Sequence, residues 1–181
     1  SYLESTNNGG NWTTATGGTI TFPIHMYWMR FHRGMFQEND GTLYAPAYVA
    51  FANNGAATRS VLLKSADNGK TWTQHAEITN PVTHGKQFDE LTVARCANGD
   101  WLAVIRQAFP SASEHMPLMY SRSTDKGLTW SAPAYLPGLG SGHTSGDDLN
   151  ESADPDLLLL PNGVIVLSYG RPNGHLAFSA H

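Results

Sequence analysis

An eight-residue pattern that returns at a nearly fixed period constrains this chain more than any other feature. Ser65-Ala66-Asp67-Asn68-Gly69-Lys70-Thr71-Trp72 recurs as Ser123-Thr124-Asp125-Lys126-Gly127-Leu128-Thr129-Trp130, and a weaker copy reads Ser5-Thr6-Asn7-Asn8-Gly9-Gly10-Asn11-Trp12. The third positions are 7, 67 and 125, a period of 60 and then 58 residues. Such self-similarity marks one supersecondary unit used several times. Each octad has a mechanical reading. The Asp or Asn bonds backbone amides of its own turn, the Gly accepts positive φ, and the Trp folds back to bury a large apolar face. The octads are expected to staple hairpins, a task that needs no contact with a ligand.

Between the octads the apolar runs are short, rich in Val, Ile, Leu and Tyr, and separated by Gly, Asn, Asp and Pro. Helical periodicity is weak, so the chain reads as all-β. Strands are predicted over 42–50, 61–64, 91–95, 101–106, 118–121, 156–160, 164–169 and 176–178. Two hairpins stand out, with turns Ala97-Asn98-Gly99-Asp100 and Pro161-Asn162-Gly163, where Asn-Gly suits the positive φ of a tight turn.

Several classes of function drop out. Net charge is −4 with Lys and Arg scattered, so no basic stripe is available for nucleic acid. Cys96 is the single cysteine, which excludes an intrachain disulfide framework and a cysteine zinc cluster. The histidines are not at ligand spacing, and neither a metal nor a cofactor is expected. No apolar run reaches the ~18–20 residues of a membrane span.

The octad resembles the Asp box, or bacterial neuraminidase repeat, of the sialidase-type β-propellers. The resemblance implies four-stranded blades in which the box joins the third and fourth strands, with the active site on the central axis. On that basis residues 1–16 end one blade, 30–78 and 88–136 form two more, and 153–181 begin another. These are about three blade-equivalents, half of a six-bladed propeller, and a further box is expected near position 184. The resemblance therefore implies either a longer chain or a homodimer that completes the ring.

Three further stretches carry the likeness. Arg33-Gly34-Met35-Phe36 before Asp40-Gly41-Thr42-Leu43 resembles the family's Arg-Ile-Pro segment and its hairpin. Glu90-Leu91-Thr92-Val93-Ala94-Arg95, followed by a strand ending at Arg106, resembles the blade that supplies a catalytic glutamate and an arginine. Tyr169-Gly170-Arg171-Pro172 stands where another arginine is expected. The resemblance implies hydrolysis of a terminal acidic sugar: Glu90 and Arg106 are candidate catalytic residues, and Arg33 and Arg171 candidate substrate-binding residues. Arginines grip a sugar carboxylate through bidentate, charge-assisted bonds. In the family a tyrosine is the nucleophile and a glutamate takes its proton; Asp89 is a weaker substitute for Glu90, and none of Tyr27, Tyr48 or Tyr169 is assigned. The sequence departs from the pattern where an acid/base aspartate is expected, because residues 45–59 hold Asn53 and Asn54 and no acid. A polysaccharide lyase acting on uronates is the alternative, as is a noncatalytic carbohydrate-binding propeller. Residues 137–152, with His143, Asp147, Asp148 and Glu151, read as a linker. A secreted or periplasmic setting is what the resemblance implies.

Overall fold

The computed structural model describes residues 2–52, 57–108, 116–137, 153–170 and 174–179. The sheets follow chain order. A two-stranded ribbon pairs β1 (Tyr2–Glu4) with β2 (Thr13–Ala15) around the first octad. The next sheet contains β3 (Thr19–Thr21), β4 (Met26–Phe31), β5 (Phe36–Gln37), β6 (Leu43–Phe51), β7 (Thr58–Ser65) and β8 (Thr71–Glu77). Its antiparallel order is β4-β6-β7-β8, with β5 continuing along β6 and β3 adding in parallel to β8. A four-residue helix, α1 (Pro81–His84), leads to a four-stranded sheet of β9 (Phe88–Arg95), β10 (Trp101–Gln107), β11 (Met119–Ser123) and β12 (Ala134–Tyr135). A third sheet orders β13 (Ala153–Leu159), β14 (Ile165–Gly170) and β15 (His175–Phe178). Among the described residues no helix is long and apolar enough to cross a membrane.

The second and third octads sit between the third and fourth strands of their sheets, and their side chains act as the sequence predicts. In residues 65–72, Asp67 Oδ1 accepts from the Thr71 amide at 2.8 Å, the Gly69 amide donates to Ser65 Oγ at 2.9 Å, and Trp72 Nε1 donates to the Gly69 carbonyl at 2.9 Å. Residues 123–130 repeat these bonds at 2.9, 2.8 and 3.0 Å. Asn68 and Lys126 adopt positive φ beside their glycines, as does Asn8 in the first copy. That copy departs in one respect. Asn7 still takes the Asn11 amide at 2.8 Å, but Trp12 is 62% exposed where Trp72 is 7% exposed. The local turn closes without a neighbouring apolar face for the indole, so turn chemistry and indole burial are separable.

Sheets stack face to face because their middle strands are apolar on both sides. β10 is buried throughout. Trp101, Ala103 and Ile105 join Tyr44, Tyr48 and Leu62 of the preceding sheet, whereas Leu102 and Val104 join Ile165, Leu167 and Tyr169 of the following one. The period-2 alternation of a strand thus feeds two cores at once. Each fully buried aliphatic or aromatic side chain contributes roughly 1.5–3 kcal/mol. Hairpins of one kind fix the register in all three sheets: Gly41, Gly99 and Gly163 have φ of 88°, 91° and 86°, and their amides donate to the carbonyls of Glu38, Cys96 and Leu160. Asn98 and Asn162 do not share the positive φ, so the glycine alone supplies the left-handed residue.

Candidate functional site

The hairpin from β9 to β10 places the predicted pair. Ile105 is opposite Leu91, yet Gln107 is opposite Phe88, so the two residues Asp89 and Glu90 face the single Arg106. This is a β-bulge, a device that re-aims side chains at strand ends. Glu90 and Arg106 meet: Nη1 donates to Oε1 at 2.8 Å and to Oε2 at 2.7 Å, with side chains 18% and 11% exposed. Partial burial strengthens such a charge-assisted contact.

Asp89 turns to the other sheet. Its Oδ1 accepts from the Thr58 hydroxyl at 2.8 Å, at the start of β7. Burial raises its carboxyl above the ordinary aspartate value, and repulsion from Glu90 adds to this, while the Thr58 bond, Arg106 and Arg30 oppose it. Arg30, on β4, reaches the Tyr48 hydroxyl at 3.5 Å.

A second cluster joins edge strands of three sheets. The strand containing β4 breaks after Phe31 and resumes at Phe36 on the same partner. In the break the His32 amide still donates to the Pro46 carbonyl at 3.0 Å, but Arg33 and Gly34 take φ of 48° and 29°. His32 Nδ1 lies 2.9 Å from the Leu91 carbonyl and Nε2 lies 3.2 Å from Asp154 Oδ1. Arg33 Nη2 is 3.5 Å from the same oxygen. Asp154 has φ of 52°, beside a bulge between Ala153 and Asp156. Among the described residues outside the octads, Arg33 and Asp154 are the non-glycine residues with positive φ, and strained backbone of this kind gathers at functional sites.

The structure therefore unites Glu90 with Arg106 and sets Arg33 against an acid, Asp154, that the sequence reading did not single out. Arg171, Asn53, Asn54, His143, Asp147, Asp148 and Glu151 lie outside the described residues. Tyr48 and Tyr169 are buried in the two inter-sheet cores, and Tyr27 is exposed on β4. His32 and Asp154 had a signal in the sequence. Each stands nine positions ahead of a hairpin glycine (32 to 41, 154 to 163), as Glu90 does (90 to 99), so the three residues share one register of the repeat. No group of three or more His, Cys, Asp or Glu side chains suited to a metal occurs among the described residues.

Stacked antiparallel sheets with octads between their third and fourth strands define a β-propeller. The chain belongs to the BNR repeat-like domain family, which matches residues 1–177. No curated protein matches it. Among solved structures it is similar to a protein of unknown function from Dyadobacter fermentans, at 22% identity and a TM-score of 0.73, covering 97% of this chain and 46% of that one. It is similar to the Hadza microbial sialidase Hz136 at 15% identity and a TM-score of 0.65, covering 98% and 33%. The α-L-arabinanase of Penicillium chrysogenum complexed with arabinobiose follows at 18% and 0.55, covering 82% and 44%. The chain spans less than half the length of each.

Proposed function

We propose that the chain supplies part of a sialidase-like glycoside hydrolase that acts on a terminal acidic sugar. The observation that carries this reading is the Glu90–Arg106 pair, sheltered at a bulge on the β9–β10 hairpin. Arg106 binds the sugar carboxylate, with Arg33 and Arg171 completing the clamp, and Glu90 takes the proton of the nucleophile. Glu90 neutralises Arg106, and an entering carboxylate competes for the guanidinium and releases Glu90 to act as a base. A sialidase among the structural relatives agrees with an acidic substrate, and an arabinanase among them marks the main competing substrate class. The functional unit extends beyond these residues, either as a longer chain or as a homodimer; mass in solution distinguishes the two.

The test is turnover of a fluorogenic sialoside. Arg106→Ala is expected to abolish it while far-UV circular dichroism stays unchanged, and a wild type without turnover on acidic glycosides removes the proposal. A second reading, a lyase on uronate-containing glycans, is favoured by His32, which is oriented by Asp154 beside Arg33. A histidine held in this way can abstract the proton next to a neutralised carboxylate. An unsaturated product absorbing in the ultraviolet identifies that activity, and binding of acidic sugars without turnover identifies a noncatalytic propeller.

A further inference from the structure

Two adjacent carboxyls at the bulge live in opposed environments. Glu90 is charge-paired to Arg106 through both oxygens. Asp89 has no such partner: it is half-buried, and Oδ1 accepts from the neutral Thr58 hydroxyl. Among the described residues no hydrogen-bond donor meets its Oδ2. Because the bulge sets both acids against one arginine, the pair Glu90–Arg106 is locally balanced and a second negative charge beside it is disfavoured. Sites that run acid and base chemistry together separate two titratable groups in this way.

We infer that Asp89 is the proton donor of the site, serving the leaving group while Glu90 serves as the base. The inference rests on the glycosidase reading above. It also accounts for the absence of any acid in residues 45–59: the Thr58 hydroxyl at the end of that stretch holds a carboxyl delivered by the next sheet. In the reaction Asp89 gives its proton to the glycosidic oxygen as the bond from that oxygen to the anomeric carbon breaks, and the aglycone leaves as an alcohol. The resulting carboxylate then takes a proton from the water that hydrolyses the sugar, which restores the acid. The groups that set its protonation are Glu90 on its own strand, Arg106 on β10 and Arg30 on β4, with Thr58 on β7 as the hydrogen-bond donor.

The test compares leaving groups on the full-length chain. Asp89→Asn should lower kcat/KM by about 10²–10⁴-fold for a glycoside with a poor alkyl leaving group. The same variant should change far less for an activated aryl glycoside, which departs without a proton. Equal losses on both, or no loss on either, overturn the inference. Thr58→Val removes a bond that favours the ionised form, so it should move the basic limb of the pH–rate profile upward; a downward shift also overturns it. Carbon-13 NMR of the Asp89 carboxyl supplies a readout free of turnover, with a titration midpoint expected above the usual aspartate range. A midpoint at or below that range refutes the role of Asp89. Absence of turnover in the wild type instead refutes the glycosidase reading, and the titration then decides whether Asp89 holds its proton.

Discussion

Gly127 closes the octad of the sheet that carries Glu90 and Arg106, and replacing it by alanine separates two kinds of strain. Its φ is +75°, and a Cβ there would lie 2.7 Å from Trp101 Cε3 and Cζ3 and 2.9 Å from Leu62 Cδ2. Neither neighbour can swing away, because Trp101 is 1% exposed and Leu62 is fully buried. Gly69, at the same place in the preceding octad, has φ of +81°, but its nearest contacts are ordinary, 3.6 Å to Trp72 Cζ2 and 3.8 Å to Leu43 Cδ1. Left-handed backbone costs an alanine roughly 1–2 kcal/mol at either site. Overpacking adds about 1–3 kcal/mol at Gly127 alone. The smaller gain from a stiffer unfolded chain, about 0.4–1 kcal/mol, is common to both and cancels. Gly127→Ala is therefore expected to lose about 1–3 kcal/mol more than Gly69→Ala. Urea unfolding followed by tryptophan fluorescence measures both, with an unchanged m-value as the control for two-state behaviour. Losses that agree within about 0.5 kcal/mol would refute the claim that Trp101 and Leu62 form a rigid wall between sheets.

Other expectations follow from the same contacts. Trp72→Ala should cost about 3–5 kcal/mol by denaturant midpoint, whereas Trp12→Ala, on an exposed indole, should stay within about 0.5 kcal/mol. Asp67 and Asp125 are held down to about 2 from an ordinary 3.8, Asp67 chiefly by the Thr71 amide and then its hydroxyl, Asp125 chiefly by the Thr129 hydroxyl and then its amide. Their folded pKa is depressed, so their stabilisation is complete above pH about 4 and is lost as pH falls through about 2. The double variant Asp67→Asn, Asp125→Asn should flatten the stability profile across that window and leave its slope near neutrality unchanged. Asp154→Gly and Asp154→Ala both delete the carboxylate that meets His32 and Arg33, but only glycine relieves the backbone at φ 52°. The glycine variant should be the more stable by about 1–2 kcal/mol, and equal midpoints would show that the left-handed conformation carries no strain.

Much of the fold was legible because its determinants are local. An octad closes through bonds between residues two to four positions apart, and a glycine at φ near 90° pins each hairpin, so strands on either side follow from alternation alone. The pairing of Glu90 with Arg106 was legible for the same reason, since both are counted from Gly99 on one hairpin. Strand β3 escaped prediction because its three residues are ordered by parallel pairing to β8, some 50 positions away. Trp12 ends a weaker copy of the octad that ends at Trp72, with the same turn and a different fate, because burial depends on what stands over the indole.

What the sequence determined by itself was the repeating unit: its turns and the strand register that each hairpin sets. Only the tertiary structure decided how its copies combine. His32 and Asp154 are 122 residues apart and meet because stacked sheets bring three edge strands together. Asp89 and Glu90, adjacent in the chain, part company because one bulge hands Glu90 to Arg106 and Asp89 to Thr58 of another sheet. Hydrogen bonds within a turn are specified by nearest neighbours, whereas the charge state of a carboxyl is specified by the burial and partners that distant segments supply.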